Sequence, residues 1–126
     1  MTLLEIYEDY KELSKQYVSW LEELVEKDFA GYTQGEILLK LESTRNQFEV
    51  MMEQSGALEI ETEQEANHKD LRYLVTDALF LATDLAHFYK YEELGRFKMR
   101  VLNYLNKKRR IDVFGGQTDR GHCPIM

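Results

Sequence analysis

Asp84 and His87 stand three residues apart in the stretch DLRYLVTDALFLATDLAHFYKY, residues 70–91, and Asp77 lies seven residues before Asp84. On a helix these spacings put two carboxylates and an imidazole on one side, where an acid and a histidine three residues apart can reach one metal ion. Bundles that hold two metal ions draw such a pair from each of two helices and a further acid from each of the other two. A second pair of this kind, Glu65-x-x-His68, lies on the same stretch about five turns away, too far to converge on the same ion. The arrangement therefore reads as a histidine beside aspartates in a helical interface. No metal ligand, cofactor or catalytic residue is assigned.

A second acidic constellation is Glu22-Glu23-x-x-Glu26, which resembles the first acidic motif of the MazG-type all-α nucleoside triphosphate pyrophosphatases, while Asp77-Ala-Leu-Phe resembles part of their second. The resemblance implies a metal-dependent hydrolase in which four acids on two helices hold magnesium. In the family's second motif, acids stand immediately before its glycine and aspartate. Here those places are Tyr73 and Leu74, with Thr76 for the glycine, and an extra helix separates the two motifs. The ligand set is broken, so a pyrophosphatase-like hydrolase is the alternative expectation and no catalytic role is carried over.

The chemistry that remains is recognition. Tyr73, Asp77, Phe80, Asp84, His87 and Tyr91 recur at three- and four-residue steps along residues 70–91. A solvated helix face does not need aromatics, whereas protein interfaces combine them with a few charges. These six residues are the expected interface, and the partner is another protein or a second copy of the chain, a symmetric dimer being the commonest arrangement.

Their positioning depends on the opposite side of the same stretch. Leu71, Leu74, Val75, Ala78, Leu79, Leu81, Ala82, Leu85, Ala86 and Tyr89 fall on a broad arc that marks the helix against which the others pack. Before it, Leu3, Ile6, Tyr10, Leu13, Tyr17, Trp20 and Leu24 alternate in threes and fours, with Thr2 as N-cap. Residues 28–32 form a loop in which Gly31 can take a positive φ, and Thr33 with Glu36 has capping-box spacing. A second helix follows through Ile37, Leu38, Leu41, Thr44, Phe48, Met51, Met52 and Ser55, with Gly56 as its stop. Thr62 with Glu65 repeats the box and leaves His68 facing solvent, while residues 57–61 are a connector. After Tyr91 the apolar phase slips, which places a reversal between Tyr89 and Glu93.

The expected fold is all-α, an up-down-up-down four-helix bundle over residues 1–110 with helices near 2–27, 33–55, 62–90 and 93–109. Residues 111–126, with two adjacent glycines and the chain's one proline, read as a flexible, mostly disordered C-terminal tail. One cysteine, Cys123, cannot form an internal disulfide.

A chain of 126 residues with 44% hydrophobic content is a single domain, and no apolar run is long enough to span a membrane. Acids where a secretory signal carries Lys or Arg point to a cytoplasmic protein. The net charge of -7 divides into -11 over residues 1–66 and +4 over residues 67–126. Acidic helices packed beside a basic one account for that division, and Lys107, Lys108, Arg109 and Arg110 at a helix end suit the helix dipole rather than a nucleic acid. The chain thus reads as a small acidic interaction module of the regulator or inhibitor type, with a metal-dependent hydrolase as the alternative.

Overall fold

The structure, a computed structural model, describes residues 2–118, with side chains described for residues 2–108. Four helices make up the bundle: α1 (Leu3–Glu26), α2 (Gln34–Gly56), α3 (Glu65–Lys90) and α4 (Leu94–Thr118). A single 3-10 turn, Thr62–Gln64, leads into α3. Short connections make sequential neighbours antiparallel. Helix α3 packs against all three others, and among the described residues the α2 and α4 backbones do not come close, which puts them on a diagonal.

Both helices at the N-terminal side begin where the sequence places them, and for the expected reason. Thr2 Oγ1 accepts from the Glu5 amide at 3.2 Å and Glu5 returns to the Thr2 amide at 2.8 Å; Thr33 and Glu36 repeat the box at 3.1 and 2.8 Å. The third box does not form. Gln64 is the N-cap of α3 with no side-chain cap, because the 3-10 turn occupies Thr62–Gln64.

The helix ends depart from the sequence reading in an instructive way. Gly56 does not stop α2 by a left-handed turn; it is the last helical residue, and a Cβ there would sit 2.7 Å from the Arg72 guanidinium. Helix α1 closes when the Phe29 amide bonds to the Leu24 carbonyl at 2.8 Å and the Asp28 amide to the Val25 carbonyl at 3.1 Å, with Asp28 at φ 53°. Helix α3 closes the same way: Glu93 bonds to Phe88 at 2.8 Å, Glu92 to Tyr89 at 3.1 Å, and Glu92 has φ 58°. This is the Schellman closure, which places a left-handed residue just past the helix, usually glycine. Gly31 also has the positive φ expected of it, 93°. The α3–α4 reversal falls within the expected interval. The backbone of α4 stays helical to Thr118, past the expected end near residue 109, so Lys107, Lys108, Arg109 and Arg110 lie within the helix and not at its end; the rest of the expected tail, residues 119–126, lies outside the described residues.

One core joins all four helices. From the α3 arc, Leu71, Val75, Ala78, Leu81, Ala82 and Leu85 are buried, and Leu74, Leu79, Ala86 and Tyr89 are partly buried against them. Of the α1 series only Leu13 stays half-exposed, and Phe48 of α2 is fully buried between the rings of Tyr10 and Tyr17. Removing a side chain of that kind costs about 3–5 kcal/mol. Among the described residues no helix is long and apolar enough to cross a membrane.

Candidate interaction surface on helix α3

With one face of α3 committed to the core, a second row at helical spacing must run along its outer side. The six expected residues do form one stripe there, but the structure divides them into two groups. Tyr73, Phe80 and Tyr91 are 57%, 60% and 60% exposed, and His87 is exposed beside Tyr91 with ring centroids 4.7 Å apart. Asp77 and Asp84 are half-buried and turn towards α4. Arg100 Nε donates to Asp84 at 2.9 Å, and Lys107 Nζ lies 3.4 Å from Asp77.

The acids and bases match by arithmetic. Asp77 and Asp84 are seven residues apart on α3, Arg100 and Lys107 seven apart on α4, and antiparallel packing brings each base to one acid. Lys107 also donates to the Tyr73 hydroxyl at 3.2 Å and sits over that ring at 5.5 Å. The hydrogen bond to Tyr73 chiefly holds its ammonium above the ordinary lysine value, with the Asp77 charge adding to it against desolvation. What faces outward is therefore an aromatic stripe with a histidine, and its acids belong to the seam with α4. The seven-residue match was readable in the sequence once α3 and α4 were paired.

His68 is not solvent-facing: it is half-buried, and its Nε2 hydrogen-bonds the Ser55 carbonyl at 2.8 Å, tying the start of α3 to the end of α2.

The acids with hydrolase-like spacing do not converge. Asp77 lies within electrostatic reach of Tyr10, and Glu23 is thirteen residues, about 20 Å, further along α1. There Glu23 accepts from Tyr32 at 2.9 Å and pairs with Lys27 at 3.6 Å. Among the described residues no three of His, Cys, Asp and Glu come together as a metal ion would require.

Sequence reasoning missed a tyrosine cluster between α1, α3 and α4. Burial raises the pKa of Tyr10, eased by hydrogen bonding to Ser14 and Tyr104, and burial likewise pushes Tyr104 and Tyr17 up. The Tyr17 hydroxyl has no hydrogen-bond partner among the described residues. A cavity of about 100 Å³ beside this cluster is lined by Tyr10, Tyr73, Asp77, Tyr104 and Lys107. Nothing in the α1 pattern marks it, because a tyrosine at a core position reads simply as apolar.

At the opposite end of the bundle, a cleft of about 490 Å³ lies between the α1–α2 and α3–α4 turns, walled by Phe29, Tyr32, Leu38, Tyr89 and Leu94. Its aromatic wall is structural: Phe29, held at φ 67°, packs edge-on against Phe97 at 5.2 Å and tilted against Tyr89 at 5.9 Å.

Comparison with known proteins adds no relative to this geometry: no family model, no curated protein and no solved structure matches the chain.

Proposed function

We propose that this protein is a non-enzymatic interaction module of the small regulator or inhibitor type, and that the outer face of α3 is its docking surface. One observation carries the reading: Tyr73 and Phe80 of the most central helix, and Tyr91 at its C-cap, remain more than half exposed on one side. Burying large aromatics is among the strongest contributions to stability a fold can make, so three of them left outside on one side of a helix mark a surface for a partner. Among the described residues the other exposed large hydrophobics, Tyr32 apart, are aliphatic or methionine side chains. Scattered apolar residues of that kind are normal on any surface.

The test compares Phe80→Arg with Leu39→Arg by chemical cross-linking in the cells that make the protein. Both sites are exposed, so both variants should melt within a few degrees of the parent. Loss of the cross-linked species in Phe80→Arg alone is the expected result. Equal loss or equal retention in both would overturn the reading.

A further inference from the structure

We infer that the occupant of the α3 face is a second copy of this chain, packed antiparallel across a two-fold axis opposite residue 82. The inference rests on the reading of α3 as the docking surface and adds the identity and register of the partner.

Three features of the stripe point to self-pairing. Tyr73 and Tyr91 are eighteen residues apart, which is five helical turns, so they lie on one line spanning about 27 Å. Their midpoint is residue 82. A two-fold axis there places Tyr73 of each copy against Tyr91 of the other, so both ends of the stripe are covered by its own aromatics.

Phe80 lies about 20° from that line and two residues from the midpoint, so the two Phe80 rings fall about 6 Å apart along the helix. That separation is within the range of packed aromatic pairs. The most exposed aromatics of α3 thus meet one another at the centre and both ends.

Charge supports the same register. Lys69 stands four residues before Tyr73 on the same side of α3, exposed and without an ion pair among the described residues. At the other end, the turn after Tyr91 carries Glu92, also exposed and without an ion pair. The antiparallel arrangement brings Lys69 of each copy to the Glu92 turn of the other, twice per dimer. A parallel arrangement brings like ends together and leaves both unpaired. Meanwhile Asp77 and Asp84, which would repel across a symmetric contact, are neutralised by Lys107 and Arg100 of their own chain.

Contact through one helix of each copy is expected to be reversible, with a Kd of about micromolar order. Sedimentation of the full chain under reducing conditions, which keeps Cys123 from linking copies, should show conversion from the 15.0 kDa monomer to twice that mass. The conversion should occur between about 1 and 200 µM. Phe80→Arg should be monomeric throughout with its helicity intact. Lys69→Glu and Glu92→Lys should each raise Kd about tenfold, and the double variant should recover to within about threefold of the parent. A double variant weaker than either single would overturn the register. A parent monomeric at every concentration, whose Phe80-dependent cross-linked species contains a different protein, would overturn the second copy and leave the docking surface in place. A dimer that persists in Phe80→Arg would overturn both.

Discussion

Arg100 Nε lies 2.9 Å from the Asp84 carboxylate, and Lys107, one heptad later on α4, repeats the contact at 3.4 Å with Asp77, one heptad earlier on α3. This two-rung ladder sets the alignment of α3 against α4, and it removes from the outer face the two acids that a metal site would need. With these pairs roughly a third to a half exposed, a double-mutant cycle on Asp84 and Arg100 should give a coupling of about 0.5–1 kcal/mol. Asp77→Asn and Asp84→Asn should melt within a few degrees of the parent, and magnesium or manganese should move none of the three melting temperatures. A parent that gains several degrees with manganese, where both variants gain none, would restore the metal reading.

Glu92 takes a left-handed conformation just past α3, where L side chains are strained and glycine is not. Glu92→Gly should therefore stabilise the monomer by about 0.5–1 kcal/mol, or roughly 2–3 °C in melting temperature for a chain of this size. The measurement belongs at low protein concentration, because the same change removes the partner assigned to Lys69. A lower melting temperature there would contradict the strain argument.

Tyr17 buries a hydroxyl that has no partner among the described residues. Tyr17→Phe should leave stability unchanged or raise it by about 1 kcal/mol, since the deleted group is desolvated without a compensating bond. Tyr10→Phe, which breaks the bonding to Ser14 and Tyr104, should be destabilising instead. Chemical denaturation separates the two, and a large loss in Tyr17→Phe would mean that its hydroxyl is satisfied.

The buried tyrosines also set an alkaline limit. Burial raises Tyr10, Tyr17 and Tyr104 above the ordinary value of 10.0, so the folded chain keeps protons that the unfolded chain releases. Their contribution to stability is fully present below pH 10 and is lost as pH rises through the folded-state values. Melting temperature should fall steeply above about pH 10, and Tyr17→Phe should flatten that fall. Ultraviolet titration should show these three ionising only as the chain unfolds.

Periodicity was the legible part of this chain. The arc from Leu71 to Tyr89 and the α1 series from Leu3 to Leu24 specify which faces turn inward, and a bundle follows from burying them together. Helix punctuation was legible only where it used familiar chemistry. Thr2 and Thr33 act as expected, but Asp28 and Glu92 fill places where a reader looks for glycine, held there by backbone closure and packing. Thr62 has the right spacing from Glu65 and still makes no cap, because a 3-10 turn gives a different backbone at that point. The outward row on α3 was visible as a set of spacings, yet its division into a seam and a surface was not. That division depends on Arg100 and Lys107, which lie on another helix, and on which side of α3 that helix occupies. His68 was misread for the same reason, its partner being a carbonyl at the end of α2.

A docking surface on α3 requires that partners contact Phe80. A benzophenone amino acid placed at position 80, with the same group at Leu39 on the outer face of α2 as control, reports this directly when irradiated in the cells that make the protein. A discrete covalent product is expected from position 80 and none from position 39. Products of equal yield from both positions, or from position 39 alone, would contradict it.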